Sequence, residues 1–150
     1  MKFSPLLLLT LYSLQSFTLE NLDRNVIKKD SHHSFENTLE RLRSVIKSKN
    51  LSLVSEIDHA KAAQSVNLAL PKTTLLLFGN PKIGTHLMVT DKFSALDLPL
   101  KILVLETKGK TQVVFRNPNS LLDDYDLATQ KNNLAKMKRG LEEIIDSAIQ

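Results

Sequence analysis

Cysteine is absent from this sequence, and with it go disulfides, thiolate metal sites and thiol nucleophiles. The absence does not fix the compartment, because exported chains without disulfides are common. Tryptophan is missing as well and aromatic residues make up 5% of the chain, so the core has to be built from Leu, Ile, Val and Ala. That argues against a carbohydrate-stacking platform and against an aromatic platform for single-stranded nucleic acid. Charge of one sign is also scarce. Twenty basic and 16 acidic side chains leave +4, too diffuse to imply a nucleic-acid partner.

At the start of the chain, Lys2 precedes a mostly apolar stretch over residues 5–14, interrupted by Thr10, Tyr12 and Ser13. The stretch is shorter than the ~20 helical residues that span a bilayer, so residues 1–16 read as a secretory signal rather than an anchor. The expected location is secreted or periplasmic, with no stable membrane insertion after removal. Leu14 makes a poor small-x-small site before Ser16, which leaves the cleavage point open, and the lack of Cys excludes lipoprotein processing. Loss of residues 1–16 removes Lys2 and no acid, taking the charge from +4 to +3. With 150 residues, 42% of them hydrophobic, one domain with one ordinary core is expected.

The organising stretch is residues 73–88, TTLLLFGNPKIGTHLM. Leu75, Leu76, Leu77 and Phe78, bounded by Pro71 and Gly79, predict a central strand covered on both faces. Gly79, Asn80 and Pro81 then end it, and residues 82–89 predict a helix that Gly84 weakens by ~1 kcal/mol relative to Ala. Before this stretch, Val26 and Ile27 mark a short strand over residues 24–30. Ser34 is a helix N-cap ahead of Phe35, Leu39, Leu42, Val45 and Ile46 at helical spacing, with Asn50 closing the helix. Residues 51–58 alternate, as in a half-buried strand, and an Ala-rich short helix follows over residues 59–66. After it, residues 100–106 and 111–115 predict a hairpin around Gly109, and residues 117–127 a turn with a short helix. A last helix over residues 130–149 carries Leu134, Met137, Leu141, Ile144, Ile145 and Ala148 on one stripe. The pattern is α+β: a two-layer sandwich with a mainly antiparallel sheet of about five strands, helices on one face, and a C-terminal amphipathic helix.

Candidate chemistry gathers at the strand ends. Gly79 and Gly84 are spaced as in a phosphate loop and Thr85 follows, but the Lys between the second Gly and Thr is missing and Pro81 removes one N–H from the cradle. A weaker anion site using Lys82, Thr85 and free backbone N–H groups is left. Asp58 beside His59 pairs a carboxylate with an imidazole; the competing reading makes Asp58 the cap of the helix starting at His59. His86, with His59, Glu56 and Asp97, supplies the residue types of an N/O metal site without any recognised close ligand spacing, so no metal is assigned. His32 and His33 read as a solvated loop. Ser55, Ser65 and Ser94 lack a nucleophile-elbow signature, and no catalytic residue or cofactor is assigned. In the last helix, Lys131, Lys136, Lys138 and Arg139 precede Glu142, Glu143 and Asp146, the reverse of the dipole's preference. An antiparallel second copy would match basic to acidic halves; the competing reading is an ordinary amphipathic helix covering its own sheet.

The run Glu56-Ile57-Asp58-His59-Ala60, the turn Phe78-Gly79-Asn80-Pro81 with Gly84-Thr85, the segment from Ala95 to Lys101 and the later Asn117-Pro118 together resemble domain of unknown function family 302, with the TT1751-like fold. The likeness covers residues 22–128 and leaves a C-terminal helix over 129–150 outside it. It implies a small two-layer α+β domain, often a dimer, with no established activity. The expected function is therefore an exported, non-catalytic binding or interaction module, forming a homodimer. Its shallow pocket for a small or anionic ligand would be drawn from Asp58, His59, Gly79, Asn80, Lys82, Gly84, Thr85, His86 and Asp97. The alternative is an enzyme or metal-assisted catalyst using Asp58, His59, Asn80 and His86. Strand direction separates the two: parallel strands bring Asp58 and Asn80 together, and antiparallel ones part them.

Overall fold

The computed structural model describes residues 25–150. The chain runs β1 (Val26–Asp30), α1 (Phe35–Ser48), β2 (Ser52–Asp58), α2 (His59–Ser65), β3 (Thr73–Gly79) and α3 (Pro81–Thr90). It continues through β4 (Leu100–Thr107), β5 (Lys110–Arg116), α4 (Leu121–Asp124) and α5 (Lys131–Ile149). Short 3-10 turns occupy Lys92–Leu96, Pro118–Ser120 and Ala128–Gln130. The targeting segment expected over residues 1–16 lies outside the described residues.

Local chemistry starts and stops these elements as the sequence implies. The Ser34 hydroxyl accepts the Asn37 N–H at 3.3 Å to begin α1, and Asn50, at a φ of 54°, turns the chain out of it. Lys108 and Gly109 both hold positive φ, 50° and 74°, between the paired residues Thr107 and Lys110. Two left-handed residues in succession match the strands' own twist, so β4 turns directly into β5. The five strands form one antiparallel sheet in the order β1-β5-β4-β3-β2. This is the α+β arrangement expected.

The sheet buries one face against α1 and α5. Leu76, Phe78, Ile102, Val104, Val113 and Phe115 point there and meet Leu39, Leu42 and Ile46 of α1 and Leu141, Ile144, Ile145 and Ala148 of α5. On the other face, Leu75, Leu77, Leu103 and Leu105 are half-buried. A second, smaller cluster gathers Leu87 of α3, Leu121 of α4, Leu127 and Leu134 of α5, with Met137 and Leu98 packed at its side. The single core expected from length is thus two, and α5 is the rod that runs through both.

Three expectations change with the fold. β3 is an interior strand with β4 at the centre, and its alternating burial shows one well-covered face instead of two. β2 is an edge strand with all seven residues exposed, bulged between Leu53 and Ser55, rather than half-buried. Its alternation was real in sequence, but a strand with one neighbour and a bulge has little to bury against. The C-terminal helix, left outside the family resemblance, supplies much of the main core. Its acidic half is also occupied at home: Asp146 pairs with Lys29, Glu143 with Lys49 and Glu142 with Lys138. The acidic half of the charge order that suggested an antiparallel second copy therefore has partners within the chain.

Candidate functional site

β3 leads to the site by ending abruptly. Phe78 turns into the main core, and a Cβ on Gly79 would stand 3.5 Å from Pro99 Cβ, so the two segments lie close. Asn80 then caps α3. Its Oδ1 accepts the Lys82 N–H at 2.9 Å, its carbonyl accepts the N–H groups of Ile83 and Gly84 at 3.0 Å each, and Pro81 has no N–H to offer. The first turn of α3 is therefore closed on itself. The backbone donors that an anion at this turn would need are spent, and the loop is not a phosphate cradle.

Asp58 caps α2 in the same way, its Oδ1 accepting the Lys61 N–H at 2.8 Å. The register separates this motif from the first: Asp58 pairs with Thr74, whereas Ser52 pairs with Gly79. Five residues of antiparallel strand, about 17 Å, lie between them. Asp58 and His59 therefore do not join Asn80 and His86, and the catalytic combination is not assembled. His86 and Lys82 sit on the exposed side of α3. Asp97 has structural partners, accepting the Tyr125 phenol at 2.8 Å through Oδ2 and the Lys101 ammonium at 2.8 Å through its carbonyl. That phenol is held above the ordinary tyrosine range, first by its hydrogen bond to Asp97, then by desolvation. Ser94 is buried, and its hydroxyl has no hydrogen-bond partner among the described residues, so no base activates it. No group of three or more His, Asp or Glu side chains able to hold a metal occurs among the described residues.

What the fold does build is an apolar groove of about 770 Å³ in the gap between the two hydrophobic clusters. Leu51 and Val54 stand on the β2 side, Ile83 and Met88 on α3, Leu98 and Leu100 on the approach to β4, and Met137, Leu141 and Ile144 on α5. Two glycines thin its helical walls. A Cβ on Gly84 would meet Leu98 and Met88 no closer than 4.0 Å, and one on Gly140 would meet nothing within 4 Å. Of the residues singled out from the sequence, Gly79, Asn80, Gly84 and Thr85 line this groove, while Asp58, His59, Lys82, His86 and Asp97 do not. The α5 wall was missed. Its signal was Gly140, a helix-weakening residue set into an otherwise regular stripe.

The sequence matches the family described as "Domain of unknown function DUF302" over residues 27–148. The chain belongs to this family. The DUF302 match runs to residue 148 and so takes in all of α5 but its last residue. A solved DUF302 structure, titled "Crystal structure of uncharacterized conserved protein DUF302 from Bacillus stearothermophilus", superposes with a TM-score of 0.77 at 18% identity, covering 83% of this chain and 98% of that one. At that identity the likeness speaks for the DUF302 fold. Two curated relatives, each named "Fluoride-specific ion channel FluC 1", from Brucella suis biovar 1 and Brucella abortus biovar 1, are 34% identical over 107 residues. The match takes in 71% of this chain but 42% and 40% of those proteins, so the chain spans well under half of their length.

Proposed function

We propose that the chain is a non-catalytic binding module whose ligand is a small, largely apolar molecule held in the groove between α3, α5 and the adjoining ends of β2 and β3. The observation that carries this reading is the groove itself: about 770 Å³, walled mostly by aliphatic side chains, with no Asp, Glu or His of the described residues in its lining. A cavity of this size and character suits a small molecule. Among the described residues its only ionisable lining groups are Lys49 and Lys136, and the Asp58-His59 pair is a strand's length away. Export and pairing of two copies, both read from the sequence, belong to the same proposal. Ion conduction, which the name of the Brucella relatives states of them, is not assigned to this chain, which spans only part of their length. No helix among the described residues is long and apolar enough to cross a membrane.

Nile red added to the purified full chain tests the groove directly. Binding is expected to raise its fluorescence, Gly140→Leu to abolish the rise by filling the groove, and Gly140→Ala to keep it. Ile83→Asp, at a wall position already partly exposed, should weaken binding without burying a new charge in a core. Absence of any rise in the parent chain, or full binding by folded Gly140→Leu and Ile83→Asp variants, would overturn the reading.

A further inference from the structure

We infer that the molecule taken into this groove is a single-chain amphiphile with an anionic head, and that Lys136 receives the head. This rests on the binding reading above and adds the chemistry of the polar end. The polar residues of the lining are Lys49, Lys136, Ser52, Thr85 and Asn80, each with a side chain able to donate and none of them an acid. Asn80 Oδ1 already accepts the Lys82 N–H, which leaves the amide N–H groups as what Asn80 can offer a ligand.

The two lysines are not equivalent. Lys49 Nζ lies 3.1 Å from Glu143 Oε2, so its charge is answered within the chain. Lys136 has no ion-pair partner among the described residues. It also stands four residues before Gly140 on α5, and residues so spaced share one face of a helix. The cation therefore marks the mouth of the groove, and the missing side chain at Gly140 keeps open the apolar depth beside it. An unanswered positive charge over an apolar slot favours an anion above a neutral head on the same hydrocarbon chain. Because Lys136 is exposed, the preference is modest, about threefold to fivefold. The hydrocarbon supplies the rest, about fourfold tighter binding for each added methylene that is buried.

Competition of dodecanoate and dodecanol against Nile red on the full chain, near neutral pH and at low salt, decides the matter. Both are expected to displace the dye, dodecanoate about threefold to fivefold better, with the difference shrinking as salt screens it. Lys136→Gln should bring dodecanoate to the level of dodecanol, and Lys136→Glu should reverse the order. Equal displacement by the two in the parent chain, or a preference that survives Lys136→Gln, would overturn the head-group assignment and leave the groove standing as a neutral apolar site. A dye that binds the parent chain but is displaced by neither would overturn the amphiphile assignment alone, whereas absence of dye binding would overturn the reading beneath it.

Discussion

The Tyr125 phenol and the Asp97 carboxylate, 2.8 Å apart, show how far a residue's type is from its role. In the sequence Asp97 reads as a ligand or metal candidate, but its partner lies 28 residues away, and no local pattern announces such a pair. Asp58 was more legible as a cap, since capping is decided within three residues of chain; Asn80 read only as a strand-ending turn and caps α3 in the same local way. The Tyr125 bond also makes a pH prediction. Its phenol is held above the ordinary tyrosine range, so the folded state favours the protonated ring. The stabilisation is fully present below the unfolded tyrosine value of about 10 and is lost as pH rises through the higher folded value. In an alkaline absorbance titration, Asp97→Asn is expected to bring the Tyr125 transition to lower pH; an unmoved transition would show that the carboxylate does not govern it.

At the scale of elements, burial separates α1 from β2 although both carry regular apolar patterns. Leu42 on α1 is 0% exposed within the main core, whereas Val54 on β2 is 62% exposed at the bulge. Leu42→Ala should cost about 2–5 kcal/mol, while Val54→Ala should stay within about 0.5 kcal/mol. Urea denaturation of the two variants checks this, and a similar loss for both would contradict the edge placement of β2. The helix was legible because its stripe recurs over four turns and α1 has a sheet to meet. For β2 the sequence displayed a period but could not display the number of neighbours. Strand order arises from long-range pairing, which also decided that Asp58 and Asn80 would part.

The whole molecule is divided by its groove. The main core joins the sheet to α1 and most of α5; the smaller cluster holds α3 and α4 against the start of α5. Fewer buried contacts imply cheaper local opening. Amide hydrogens of α3 and α4 are therefore expected to exchange ahead of those in β3, β4 and β5, and a ligand in the groove should slow α3 in particular. Uniform exchange across both parts, measured by mass spectrometry, would show that they open as one. The gap itself was not legible in the sequence, since Met137 and Leu141 read as one continuous stripe and only three-dimensional placement assigns them to different neighbours. A different consequence follows from the sheet's two borders. β1 carries Lys28 and Lys29 along its rim, but β2 contains neither lysine nor proline; Glu56 is paired with Arg43 and Asp58 caps α2, so the kink at Val54 is what guards it. That rim is an open seam: its outward backbone donors and acceptors have no strand of this sheet to meet, so it is the border at which a further strand can be added.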